Sequence, residues 1–411
     1  MPTPPTIVII GASVAGLPIA HALLKDAHPK KVILINPSRD FWWMIAAPRI
    51  LTKPSAFQRD QYLVPIESGF AKYTPEQFEF VHGYATALDA TKKVVTVSLA
   101  SGQSPPTTSY EYNYLVIASG STTPSSIPTD ANTPLYPFKA PPLPTPGVDQ
   151  LDRDLDTLIQ TAQQTTTRAK RIVIGGAGPI GIETAGELAE LPHRPAITLV
   201  SATARVLPGL AEGASAAADA QLRGKGVYII PGRKVVRFTP ANLQAAQPEE
   251  DSAGQATTTT PQQPAGGIVE LDNGETIETD LYIPTTGVLP NNQFLPAEIL
   301  DEKGWVKVDA QLRVPGLQGV WAAGDITANS ARLAQTAGQQ ATVAAHNLLV
   351  EMTGAGSVKE YAAGKALMVV PVGERGGTGQ LWFGWVPWAW FVRLIKGRDF
   401  FIAKAKEAVH G

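Results

Sequence analysis

Two stretches of this 411-residue chain share one grammar, and together they restrict its fold more than anything else in it. Each is a short β-branched run, a glycine-rich turn, a helical stretch and a second apolar run. The first reads as a strand over 6–10 (TIVII), a helix over about 16–27 and a strand over 31–35. The second reads as a strand over 171–174, a turn over 175–181, a helix over 182–190 and a strand over 196–200. Strands that are apolar throughout suit a parallel sheet covered by helices on both faces. The two turns lie about 165 residues apart, which predicts an α/β chain with two Rossmann-like dinucleotide-binding domains.

The chemistry sits in the turns. In GASVAG, Gly11, Ser13 and Gly16 occupy the three positions of G-x-G-x-x-G. The first permits the tight turn, the second lets backbone approach a pyrophosphate, and the third packs helix against strand. The helix N-terminus adds a positive dipole end. Ser13 replaces the usual middle glycine, and Asn36 stands where an acidic residue would grip a ribose. Taken alone, this loop leaves open a turn that binds nothing. The second loop is complete, with Gly176, Gly178 and Gly181, and Gly175 in addition. No acidic residue stands at 200–201, while Arg205 lies close by, which favours the 2′-phosphate of NADPH. Glu183 and Glu187 follow on the helix. Glu183, two residues past the last glycine, is the candidate for the nicotinamide side; a solvated or helix-paired carboxylate is the alternative for either.

Composition closes off other classes. The net charge of −2 gives no reason to expect nucleic acid. The absence of cysteine excludes disulfides, thiolate metal sites, iron–sulfur clusters and any active-site dithiol. The six histidines show no metal-ligand spacing. No leader and no run of 18 apolar residues is visible, so a soluble cytoplasmic protein is the expectation. Two further stretches carry function. Residues 112–121 read as a strand running into Ala118, Ser119 and Gly120; residues 316–348 read as a strand, then Gly324 and Asp325, then a long helix. An aspartate at such a strand end suits a ribityl hydroxyl and a pyrophosphate.

With these motifs assembled, the set GASVAG, LVIASG, IGGAGPIGIETAGEL, IPTTGVLPNN and GVWAAGD resembles the pyridine nucleotide–disulfide oxidoreductase superfamily over nearly the whole chain. GPIGIETAGEL and the tail over 376–407 resemble its apoptosis-inducing-factor-like, ferroptosis-suppressor branch. The resemblance implies FAD in the first domain and NAD(P)H in the second. It implies that Gly11, Ser13, Gly16 and Asn36 hold the AMP half of FAD, and that backbone at Ala85 meets adenine. Ala118, Ser119 and Gly120 would line the phosphate and ribityl region, and Asp325 would bind the ribityl chain. Arg49 and Lys53 would run beside the flavin and stabilise its reduced, anionic form, an interdomain salt bridge being the alternative for Arg49. Lys53 joins Glu183 as a catalytic candidate; His82 and His346 read as structural.

The expected organisation is a FAD domain over 1–140 and 291–365, an NAD(P)H domain over 141–290, and an aromatic-rich C-terminal α+β segment over 366–411. A proline-rich crossing over 133–150 and a mobile insertion over 241–267 complete it. The tail gathers four of the chain's eight tryptophans at 382, 385, 388 and 390, followed by Arg393, Lys396 and Arg398. Aromatics beside basic residues over 380–398 suit a membrane interface or a channel for a lipid quinone; a homodimer face or a cap on the flavin domain is the other reading. The function that follows is hydride transfer from NAD(P)H to FAD, then electron transfer to a quinone-like acceptor. Two alternatives stand beside it: a biosynthetic flavoenzyme acting on a small organic metabolite with oxygen as acceptor, and a binding protein that senses NAD(P)H.

Overall fold

The computed structural model describes residues 4–100, 106–127, 135–139, 155–241, 266–364 and 367–411. Most of the proline-rich crossing and of the 241–267 insertion lies outside these residues.

The first βαβ unit builds the centre of a seven-stranded sheet. Thr6–Ile10 pairs in parallel with Lys31–Asn36 on one side and with Tyr114–Ile117 on the other. Val320–Ala322 adds a parallel strand beyond Tyr114–Ile117, which brings Asp325, distant in sequence, back to the first glycine loop. Phe78–Asp89 pairs in parallel with Lys31–Asn36, then shifts register between Ala85 and Ala87 and runs antiparallel to Val94–Leu99, which in turn pairs with Thr107–Glu111. The central strands are buried on both faces, as their Val and Ile content dictates. The helix Gly16–Lys25 covers one face and packs on the long helix Ala334–Thr353.

The second unit forms a four-stranded parallel sheet in the order Tyr228–Pro231, Ala196–Ser201, Arg171–Gly175, Leu281–Pro284. Its helix, Pro179–Leu188, begins three residues before the expected start. Proline at the first helical position has no N–H to lose and its fixed φ suits a helix, so the boundary moves forward to Pro179. A three-stranded antiparallel sheet, Val235–Pro240, Gly267–Leu271 and Thr276–Thr279, extends this region.

The tail does not hang free. Met368–Val372 and Gly376–Gln380 form a hairpin that packs on Pro179–Leu188. A side chain at Gly186 would run into the backbone of Val372 and Gly373, so this helical glycine is what permits the close approach. The last helix, Lys404–His410, returns to the first βαβ unit and packs beside Gly16–Lys25. No helix among the described residues is long and apolar enough to cross a membrane.

Candidate functional site

The strand ends, the two helix N-termini and the tail enclose one cleft of about 450 Å³. Gly11, Ser13, Asn36, Ala85, Ala118, Ser119, Gly120 and Asp325 all line it. Residues scattered over most of the chain therefore share one wall, because parallel strands place their carboxyl ends along the same sheet edge. Gly16 sits one turn further on, against the Gly11 carbonyl.

Asn36 does less for a ligand, and more for the loop, than its position promises. Its Oδ1 accepts from the Ala12 N–H at 2.9 Å and its Nδ2 donates to the Ser38 carbonyl at 2.8 Å. The amide thus clamps the glycine loop to the strand end. Ser119 and Asn291 hold each other by paired bonds of 2.8 Å, Ser119 Oγ to the Asn291 carbonyl and Asn291 Nδ2 to the Ser119 carbonyl. Asp325 accepts from Ser121 Oγ at 2.9 Å and from Lys139, whose ammonium also donates to Ser121 Oγ at 2.6 Å.

The cleft fits a polar, anionic ligand on structural grounds. Asn291 Oδ1 and Arg332 Nε line it and are buried without a hydrogen-bond partner among the described residues. Arg332 lies with its guanidinium 3.9 Å above the Trp305 ring, in left-handed backbone at φ 57°. Burial depresses its pKa, against the pull of Asp325 and Asp301. A strained, incompletely satisfied guanidinium just before the long helix N-terminus is a place for negative charge. FAD, with its hydroxyls and pyrophosphate, matches these groups. Lys139, Asn291 and Arg332 carry no recognisable motif, so sequence reasoning missed them; IPTTGVLPNN, noted only for its resemblance, contains Asn291.

The second loop leads into the same cleft. Gly178 is the N-cap of Pro179–Leu188, no side chain caps that helix, and the space around Gly178 is open. Pro179, Ile180 and Glu183 of this helix line the cleft. The N-terminal N–H groups are thus free to meet a phosphate. Arg205 braces its own loop instead, its guanidinium donating to the Leu210 carbonyl at 2.9 Å and the Pro208 carbonyl at 3.0 Å.

Arg49 and Lys53 leave the cleft. Their segment touches it through Met44, Ile45 and Pro48, but the two cations lie on the far side, facing Glu187 of the helix Pro179–Leu188 and Glu190 just after it. Arg49 forms a two-pronged pair with Glu187, at 2.7 and 3.0 Å, and Lys53 reaches Glu187 at 2.8 Å and Glu190 at 2.9 Å. Burial lowers the Lys53 pKa but the two carboxylates outweigh it, and the net shift is upward. A salt bridge is the arrangement Arg49 adopts, because Glu187 is fully buried and needs opposite charge.

A cation from the tail does line the cleft. Lys396 Nζ donates to Glu183 Oε1 at 2.6 Å, and both residues line the cleft. Lys396, one of the three basic residues that follow the tail tryptophans, turns inward to the buried Glu183. Burial raises the Glu183 pKa, and Lys396 pulls it back. Leu367, Met368, Val369 and Phe401 add an apolar wall from the tail. Beyond it, Phe383 is fully exposed at 102%, and Trp388 and Trp390 are 61% and 60% exposed, with their rings stacked on one another. Histidines stay outside: His82 bonds the Pro37 carbonyl and His346 the Ser357 carbonyl. Among the described residues no cluster of potential metal ligands occurs.

Known proteins resemble this chain in sequence and in fold. The family model described as "Pyridine nucleotide-disulphide oxidoreductase" matches residues 5–341. Oxidoreductase ptaL of Pestalotiopsis fici is 35% identical over 379 residues, covering 91% of this chain and 90% of that one. Ferroptosis suppressor protein 1 of Xenopus tropicalis is 26% identical, covering 97% and 94%. The sulfide:quinone oxidoreductase structure from Aquifex aeolicus has the same fold, with a TM-score of 0.70, 16% identity and coverage of 98% and 92%. This chain belongs to the pyridine nucleotide-disulphide oxidoreductase family.

Proposed function

We propose that the chain is an FAD-dependent NAD(P)H oxidoreductase whose acceptor is quinone-like and is met at a lipid surface. Family membership carries the coarser part, an oxidoreductase that uses FAD and NAD(P)H. The observation supporting the acceptor is the Glu183–Lys396 pair set into an apolar wall made by the tail. Two electrons leaving to a quinone need protons beside an apolar ring, and this wall supplies both surfaces. Without cysteine no dithiol relay is available, so the acceptor must come to the cleft itself.

FAD, when bound, would supply the redox chemistry, two-electron transfer between a nicotinamide and an acceptor. The residues orient, exclude water and hold charge. Gly11, Ser13, Gly16, Asn36, Ala85, Ala118–Gly120 and Asp325 form the FAD wall. Gly176, Gly178 and Gly181 present the second helix N-terminus to the pyrophosphate of NAD(P)H. Ionised Glu183 puts negative charge where loss of hydride leaves the nicotinamide ring positive. Lys396 shares its proton with Glu183 Oε1 and sets a proton-bearing group beside the apolar wall.

Anaerobic mixing with NADPH or NADH tests the assignment. The flavin band should bleach within seconds and return when a short-chain ubiquinone is added. Absence of bleaching with either nucleotide favours oxidation of a small metabolite, a reading kept second because the same apolar wall fits a flat organic substrate. Bleaching that neither quinone nor oxygen reverses favours the sensing role.

The exposed aromatic slab predicts membrane contact. Replacing Trp388 and Trp390 by Ser should lower the affinity for vesicles of zwitterionic and anionic phospholipid, read by co-flotation, by about 30-fold, since partial burial of each ring is worth about 1 kcal/mol. Unchanged flotation, or a homodimer that the double variant splits in sedimentation, would overturn it.

A further inference from the structure

We infer that Arg49 is a positioning residue for the Glu183–Lys396 pair: it holds the tail backbone at Gly397 and Arg398 against the nicotinamide-side helix. The inference rests on the reading that Glu183 and Lys396 serve the cofactor cleft. Arg49 does not touch that cleft, yet nearly all of its donors are committed around it. Nε and Nη2 donate to the two oxygens of Glu187 at 3.0 and 2.7 Å. Nη2 also donates to the Gly397 carbonyl at 2.7 Å, and Nη1 to the Arg398 carbonyl at 2.8 Å. Glu187 stands one helical turn from Glu183, and Gly397 immediately follows Lys396. One planar guanidinium therefore fixes both the helix that carries Glu183 and the chain that carries Lys396.

Phe400 completes the joint. The Arg49 guanidinium stacks 4.7 Å from its ring centre, and Lys396 Nζ lies 5.4 Å from the same centre. Both cations therefore lie over one aromatic ring, whose negative π face attracts each. Both carbonyls that Arg49 holds belong to a five-residue π-helical turn, Arg393–Gly397, and the residue after it. Such a turn is uncommon and is retained where something outside it supplies stabilisation. Charge alone does not explain the residue. Lys53 already neutralises Glu187, and Lys225 secures Glu190 at 2.7 Å in the same ionic network. What only arginine provides is the fork that spans a carboxylate and two carbonyls at once. Without it the ion network keeps its positive charge, while Lys396 loses its register against Glu183.

Arg49→Lys keeps the charge and removes the fork. The expected result in the holoprotein is retained flavin and a KM for NADPH within about twofold of the parent. Flavin reduction at saturating NADPH should slow by about tenfold, and its acid limb should move to higher pH, because a displaced Lys396 no longer holds the Glu183 proton off. Tryptic cleavage within 393–398 should accelerate in both apo- and holoprotein, a readout independent of turnover. Lys225→Met loosens the same network without touching the tail carbonyls; it should lower thermal stability and leave the acid limb where it is. If Arg49→Lys lowers stability but leaves the acid limb and the cleavage rate unmoved, Arg49 is only an interdomain brace and the inference falls. If instead Lys396→Met fails to move the acid limb of the parent, the reading of the pair itself falls, whatever Arg49→Lys does.

Discussion

A Gly178→Asp chain should fold, retain FAD and be reduced by dithionite, yet lose reduction by NAD(P)H by about 100- to 1,000-fold. Position 178 has a backbone that any residue adopts and nothing within 4 Å of an added Cβ, so the fold tolerates a side chain. As helix N-cap, an aspartate there is even favourable for the helix itself, because its carboxylate accepts from the orphan N–H groups. Those are the groups a pyrophosphate needs. The substituent therefore occupies the anion site and sets a negative charge against the phosphates. Losing those contacts corresponds to about 3–4 kcal/mol, which is the stated factor. The check is stopped-flow reduction by NADPH beside a thermal melt. A chain that still reduces at the parent's rate would show that NAD(P)H does not use this loop. The analogous change at Gly11 would be far less informative. Gly11 has φ 105° and its added Cβ would strike the Ala118 carbonyl, so fold and ligand would fail together.

That contrast shows what a sequence can carry. Glycine turns are legible because their geometry is local: a tight turn, a close approach and a helix start are all written within six residues. The paired strands, the small-residue turn at Ala118–Gly120 and Asp325 were legible for the same reason. Side-chain partners were not. Lys396 and Glu183 lie 213 residues apart, and Arg49 and Glu187 lie 138 apart. No periodicity links them, so a basic run rich in tryptophan looks like an outward face whether or not one lysine turns in. The hydrogen bonds of Asn36 and Arg205 go to the backbone beside them. A short polar side chain at a turn satisfies local N–H and C=O groups before it meets a ligand. The carboxyl of Asp325 likewise has Lys139 and Ser121 as partners, and Lys139 follows a stretch with no pattern to announce it.

The pH dependence of Glu183 offers the sharper test of mechanism. Burial pushes its pKa above the ordinary 4.5, and Lys396 opposes that shift. Removing the ammonium with Lys396→Met leaves Arg49 as the remaining cation against burial and Glu187, so the carboxyl becomes harder to ionise. If the ionised form is the active one, flavin reduction by NADPH falls away on the acid side, and in Lys396→Met that acid limb moves to higher pH. Glu183→Gln keeps shape and removes the charge; reduction should slow by about 100-fold, the scale of one preorganised electrostatic contact, and the acid limb should vanish. Stability must move consistently. A carboxyl whose folded pKa is raised binds more protons folded than unfolded, so its contribution is most favourable below 4.5 and declines as pH rises through the raised value. Against the pH-insensitive Glu183→Gln, the parent should therefore lose relative thermal stability as pH climbs from about 4. Opposite movement of the limb in Lys396→Met, or an acid limb that survives in Glu183→Gln, would assign the titration to another group and leave Glu183 a structural carboxyl.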